Sequence, residues 1–212
     1  MHVVWDWNGT LLDDLEIVIE AANIGLSEFG VEPLDEDRYR DHFTRPVRAF
    51  YDSLFGRSVT DDEWHRLNDV FHAEYMARAD RAQLTADALD ALDAVGSDPR
   101  GQSLLSMSPQ EWLDGIVRRK GVSERFSLVS GLSGETGGLK AAHMEEHLAT
   151  LGLDPDRTVV VGDTPDDAKA ARHVGAYVVL YDGGSHHLPV LQEVDVPVAH
   201  SLLEAVEIAR RL

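Results

Sequence analysis

Apolar and polar positions change period abruptly near the start of the chain. Val3 to Trp5 is a continuous apolar run that stops at "DWNGT", where Asn8-Gly9 marks a turn because both residues tolerate positive φ. From Leu11 to Phe29 apolar residues recur at helical spacing (Leu11, Leu15, Val18, Ile19, Ala22, Leu26), and Gly30 supplies a plausible cap. Residues 35–83 keep a polar-rich helical character without a convincing strand. Within them "TDDEW" begins a helix, with Thr60 as cap and Glu63 three residues on, and Trp64, Phe71 and Tyr75 fall at helical spacing as local core.

Beyond this stretch short apolar runs alternate with helical ones. Strands are predicted at 103–105, 127–129, 158–161 and 177–180, and helices at 109–119, 141–151 and 167–174. Such alternation, with strands apolar throughout, predicts an α/β fold: a parallel sheet with helices on both faces. The helical stretch before it reads as an insertion after the first strand. In open parallel sheets ligands bind beyond the carboxyl ends of the strands. Four apolar runs are followed at once by polar residues: Asp6, Ser106, Ser130 and Asp163.

Composition narrows the function classes. At 212 residues the chain is one large domain, or one domain with an insert, and hides roughly 70% of its unfolded surface. Its 38 acidic against 19 basic residues give a formal charge of −19, which argues against nucleic acid or anionic membranes as partners. An anionic substrate must therefore meet a local cation, and with only Lys120, Lys140 and Lys169 present, each lysine is worth inspecting. The absence of cysteine excludes disulfides, thiolate metal sites and cysteine nucleophiles. The first residues form a strand rather than a basic segment followed by a long apolar one, so a cytoplasmic location is expected. Oligomeric state is not legible.

Asp6, at a strand end in a turn opened by glycine, suits a nucleophile or a hard-cation ligand, although a turn or capping role explains it alone. Asp163, Asp166 and Asp167 follow an apolar strand through Gly162. Carboxylates so crowded repel one another unless a cation sits among them, and magnesium suits such a site. His186 and His187, after two glycines, read as loop residues; no third metal ligand accompanies them.

These segments resemble the haloacid dehalogenase-like (HAD) hydrolase superfamily, in the subgroup with a small helical cap. "DWNGTLLDD" at 6–14 is similar to the first motif of that family and "LLSMSP" at 104–109 to the second. Lys140 in "GGLK" stands where the third motif's cation belongs, and "VVVGDTPDDAKAARHVGA" at 159–176 resembles the fourth closely. The resemblance implies a Rossmann-like core from residues 1–14 and 84–212, and a helical cap from 15–83. It implies that Asp6 attacks phosphorus to form an aspartyl-phosphate, with a small phosphorylated metabolite as substrate. Mg2+ would be held by Asp6, the backbone carbonyl of Asn8 and Asp163, with Asp167 in direct or indirect support. Ser106 and Lys140, helped by the backbone amides of Met107 and Gly9, would bind the phosphoryl oxygens. Magnesium and lysine would supply the charge that lets two anions approach.

One residue departs from the pattern. Phosphatases of this family usually carry a second aspartate two residues after the nucleophile, as acid and base, and here that position is Asn8. An amide cannot titrate, though it can donate a hydrogen bond, and positioned acid–base catalysis is worth ~10²–10⁴-fold. Three explanations stand open. The leaving group needs no acid, another group such as His42 of the cap replaces it, or the protein binds a phosphorylated ligand and turns it over slowly. Phosphonatase or dehalogenase chemistry on the same fold is a further alternative. In "HFTRPVRAFY" at 42–51, Arg45 and Arg48 are the candidates to bind a second anionic group, as in phosphoglycolate phosphatase-like relatives.

Overall fold

The computed structural model of the chain describes residues 1–96, 101–133 and 138–212. Six strands form one parallel sheet in the order β5-β4-β1-β6-β7-β8. They are β1 (His2–Trp5), β4 (Gln102–Pro109), β5 (Val129–Leu132), β6 (Thr158–Gly162), β7 (Tyr177–Tyr181) and β8 (Val198–Ala199). From central β1 the chain fills one side through β4 and β5, then returns to β6 and fills the other. The border between β1 and β6 is therefore where strand order reverses.

Alternation along each strand divides the interior in two, because successive side chains leave opposite faces of a sheet. Val3, Trp5, Leu104, Val159, Val161 and Val179 pack on one face, with Leu92 of α5 (Ala88–Val95), Leu113 of α6 (Gln110–Arg119) and Val206 of α10 (Leu202–Ala209). Val4, Leu105, Val160, Val178 and Leu180 pack on the other, with Met144 of α7 (Ala141–Leu151), Ala171 of α8 (Pro165–Val174) and Leu191 of α9 (Leu188–Gln192).

Between β1 and β4 lie α1 (Leu15–Ser27), α2 (Glu36–His42), α3 (Val47–Phe55) and α4 (Asp61–Arg78). They bury their own apolar cluster, which includes Leu26, Tyr39, Phe50, Tyr51 and Leu67. Thr60 caps α4 in a reciprocal pair with Glu63. Ile17, Ala21 and Tyr75, on the inner faces of α1 and α4, join the core of the sheet instead. Trp64 and Phe71 thus pack against the helical cluster as the spacing suggests, while Tyr75 does not.

Several boundaries differ from expectation. The first helix begins at Leu15 rather than Leu11, because Leu12–Asp13 forms β2, which pairs antiparallel with β3 (Gln83–Leu84). Gln83 of β3 falls at the very end of the stretch expected to hold no strand; runs so short leave no period to read. The strand expected at 127–129 forms at Val129–Leu132. Among the described residues no helix is long and apolar enough to cross a membrane.

Candidate active site

Asp6 leaves β1 and Asp163 leaves β6, and the two strands pair side by side with Trp5 opposite Val161. Both carboxylates therefore emerge at the point where strand order reverses, the usual ligand position in such sheets. Asp167 joins them from the first turn of α8, held by Thr164, whose side chain and backbone N–H both donate to its Oδ2. Carboxylate oxygens of Asp6, Asp163 and Asp167 all lie within 4.8 Å of one another. Lys140 precedes α7, and its Nζ donates to Asp6 Oδ1 at 2.5 Å and to Asp167 Oδ1 at 2.6 Å. Gly137, the first residue of "GGLK", lies outside the described residues.

Three carboxylates thus share one ammonium, and their protonation reflects that. Burial pushes the Asp6 carboxyl up to about 7, with Asp167 and Asp163 adding repulsion that Lys140 only partly offsets. Asp163 is pushed up to about 6, again chiefly by burial. Burial acts on Asp167 too, but the charge and hydrogen bond of Lys140 and the donors of Thr164 outweigh it and hold that carboxyl low. The same carboxylates overcome the burial of Lys140 and keep its amine protonated. An all-oxygen donor set with more negative than positive charge fits a hard divalent cation such as magnesium. The surrounding backbone leaves no room for side chains. Gly9 has φ +71°, and a Cβ there would lie 2.5 Å from Asp163 Oδ2; a Cβ at Gly162 would overlap the Asp167 carboxylate.

Asn8 stands at the centre of a second network. Its Nδ2 donates to Asp14 Oδ2 at 2.6 Å and to the Tyr75 hydroxyl at 2.8 Å. Its Oδ1 accepts from Ser108 Oγ at 2.8 Å and Ser106 Oγ at 3.3 Å. Asp14 also accepts from Tyr75 and from the backbone of Gly9. Burial raises the Asp14 carboxyl, against the pull of these three donors. Both hydrogens of the amide are therefore occupied. Asp14, Tyr75 and Ser108 had no role assigned from sequence. Asp14 stands within the quoted motif, whereas nothing in the apolar spacing of Tyr75 announces a hydroxyl aimed at Asn8.

A cavity of about 160 Å³ lies between this floor and the helices above it, lined on the floor side by Asp6, Asn8, Gly9, Ser106, Met107 and Lys140. Val18, Phe43, Phe50, Tyr51 and Phe71 of the helical segment line it too, as does Trp112 of α6. Arg45 lines it as well, and its Nη1 approaches the Gly138 carbonyl at 3.4 Å.

Arg48, expected beside Arg45, turns away: its guanidinium donates to the Val59 carbonyl and to Asp61, both at 2.8 Å. Arg45 precedes α3, whereas Arg48 lies in its first turn, within reach of the acidic start of α4. His42 pairs with Ser53 at 2.6 Å and does not line the cavity, so it does not replace a missing acid. Ser130 lies within β5, bonded to His147, rather than beyond a strand end in the cavity. His186 is buried against the Phe43 ring, which removes it from ligand duty at the mouth.

Known proteins resemble this chain throughout its length. A family model described as haloacid dehalogenase-like hydrolase matches residues 3–181. A phosphoglycolate phosphatase of Synechococcus elongatus is 26% identical over 190 residues, covering 86% of this chain and 84% of its own. An N-acetylmuramic acid 6-phosphate phosphatase of Pseudomonas aeruginosa is 26% identical over 190 residues, covering 87% and 83%. Among solved structures, a haloacid dehalogenase-like family hydrolase from Streptococcus pneumoniae superimposes with a TM-score of 0.76 at 22% identity, covering 98% and 97%. A hydrolase from Pseudomonas syringae does so with 0.78 at 18% identity, covering 100% and 99%.

Proposed function

This chain belongs to the haloacid dehalogenase-like hydrolase family, and we propose that it is a magnesium-dependent phosphatase acting on a small phosphorylated metabolite, with Asp6 as nucleophile. The observation that carries this reading is the placing of Asp6 against Lys140, with Asp163 and Asp167 alongside, beneath a cavity of substrate size. Phosphatase relatives of different substrate specificity support it at the level of chemistry.

Asp6, the Asn8 carbonyl, Asp163 and Asp167 would hold Mg2+, which would neutralise charge on the phosphoryl oxygens and the nucleophile. Lys140 fixes Asp6 through Oδ1, leaving Oδ2 to attack phosphorus. As the Asp6–phosphorus bond forms, the bond to the leaving oxygen breaks and its electron pair departs with that oxygen. Water then attacks phosphorus, releasing inorganic phosphate and restoring the carboxylate, with the proton passing to solvent. Ser106 and the backbone amide of Met107 orient the phosphoryl oxygens, whereas the Gly9 amide, expected to help them, is already given to Asp14 and the Leu12 carbonyl. Arg45 stands on the Lys140 side, where it meets the same group. The helices of residues 15–83 serve as the cap that closes the site from above.

Phosphate release from acetyl, phenyl and simple alkyl phosphates, with and without magnesium, tests the reading. Wild type is expected to require magnesium, and Asp6→Asn to lose at least about 10⁴-fold, as enzymes do on losing a nucleophile. Release that survives in Asp6→Asn would sink the assignment. The full occupation of the Asn8 amide supports a second reading, slow turnover of a tightly bound phospho-ligand. Single-turnover rates far slower than ligand dissociation would favour it.

A further inference from the structure

The cavity is divided by chemistry. Its charged lining residues are Asp6, Asp14, Asp166, Asp167, Arg45 and Lys140. Contacts gather them at the phosphoryl end: Asp14 on Asn8, Asp166 on the Lys140 backbone N–H at 3.0 Å, Arg45 at the Gly138 carbonyl. Lys140 is held by Asp6 and Asp167 and Arg45 stands at the Gly138 carbonyl, so the cations in the cavity face the phosphoryl end rather than a second anionic group. The rest of the lining is mostly apolar, with Val18, Phe50, Phe71 and Trp112, and its other polar members, Asn68, Tyr39 and Tyr51 among them, carry no charge. His72, which also lines the cavity, places its ring edge-on to Trp112 at 5.0 Å, and burial lowers its pKa so that it stays uncharged. Of the two guanidiniums offered by the sequence for a second charge, Arg48 is engaged by Asp61 outside the cavity.

The floor adds an independent constraint. The hydrogen-bond donors around Asn8 are already engaged. Both Asn8 N–H groups point into Asp14 and Tyr75, and the Tyr75 hydroxyl donates to Asp14. Ser108 donates to Asn8. A leaving group whose charge is delocalised over a ring departs without a donated proton, while an alkoxide does not.

We infer that the substrate is a phosphate monoester of an uncharged, ring-bearing apolar group, with the ring against the apolar lining that includes Phe71 and Trp112 and its oxygen leaving as a stabilised anion. This rests on the phosphatase reading for the reacting end of the site, and extends it to the organic half of the ester.

Binding separates the two claims, because phosphonates occupy the site without being cleaved. With magnesium present, calorimetry should show benzylphosphonate binding on the order of tenfold more tightly than phosphonoacetate, which carries a carboxylate in place of the ring. Trp112→Ala, checked for an intact fold by its melting transition, should weaken benzylphosphonate on the order of tenfold and methylphosphonate less than about twofold. In turnover, phenyl phosphate should exceed a simple alkyl phosphate in kcat/KM by ~10²-fold or more, in line with the missing acid. Equal or tighter binding of phosphonoacetate, equal weakening of both phosphonates by Trp112→Ala, or binding of no phosphonate overturns the inference. Failure of the phosphatase reading alone would look different: the binding preference stays, while no ester, acetyl phosphate included, releases phosphate through Asp6.

Discussion

The floor and the roof of the cavity are built by different physics. The floor is a set of mutually repelling carboxylates, forced together by adjacent parallel strands and tied by one buried lysine. The roof is aromatic packing on helices, where Tyr39, Phe43, Phe50, Tyr51 and Trp64 touch ring to ring and the ion pairs lie outside. Charge concentrated at one end does chemistry on a charged group, and apolar surface at the other selects what is attached to it. Each region should fail in its own way when altered.

Lys140→Ala attacks the floor where it is most interdependent. It leaves Asp6 and Asp167 buried without their shared cation, and removing one partner of a buried pair costs about 3–5 kcal/mol. Phosphate release should fall by ~10²–10³-fold as well. Chemical denaturation and steady-state kinetics measure the two losses. A stable, active variant would mean the carboxylates balance themselves.

Asn8→Asp probes the junction between the regions. A carboxyl at position 8 would face the Asp14 carboxyl at the 2.6 Å now bridged by an N–H. The pair must then share a proton, and stability at neutral pH should fall by about 2 kcal/mol. Combining it with Asp14→Asn restores one donor opposite one acceptor and should recover most of that loss. Denaturation of the two variants side by side checks this; equal stability of wild type and Asn8→Asp would contradict the network.

Acidity offers a milder test. Asp6 and Asp163 ionise at about 7 and about 6, above the ordinary 3.8, so between roughly pH 4 and pH 7 the folded chain binds more protons than the unfolded one. Without divalent cations, the contribution of these two groups to stability should therefore decline as pH rises through that window. Magnesium should reverse the decline, most strongly at the upper end. Melting temperatures across pH, with chelator and with magnesium, read this directly. A magnesium effect independent of pH would argue against cation binding at these carboxylates.

Arg48→Ala should do least. Its side chain is 40% exposed and its partner Asp61 80% exposed, a pair worth about 0–1 kcal/mol. KM should hold within about twofold, whereas Arg45→Ala should raise it several-fold. The reverse ranking would place the second cation, and the specificity of the cap, elsewhere.

The same division decided what was legible in the sequence. Strands buried on both faces announce themselves as apolar runs, and Asp6 and Asp163 stand at the ends of two of them, so the middle of the sheet and most of the floor could be read, while β5 forms later than expected and two-residue β8 was not expected. The short pairing of Leu12–Asp13 with Gln83–Leu84 could not, since two residues carry no period. Nor could the directions of Arg45 and Arg48. They share a segment, and only the position of Asp61 beyond the next turn separates their fates. Tyr75 shows the limit most clearly. Its spacing with Phe71 predicts core, and its ring is indeed buried, but its hydroxyl reaches 67 positions back to Asn8. Long-range polar contacts of this kind have no local signature.

The central claim is that phosphorus becomes bonded to Asp6. Wild type mixed with acetyl or phenyl phosphate and magnesium, quenched in acid within one turnover and digested, should yield the peptide containing Asp6 with the added mass of one phosphoryl group. Asn8, which leaves no titrating base beside that bond, should make the adduct long-lived enough to collect. Phosphate accumulating while the Asp6 peptide stays unmodified, or the phosphoryl group appearing on another residue, would contradict the account.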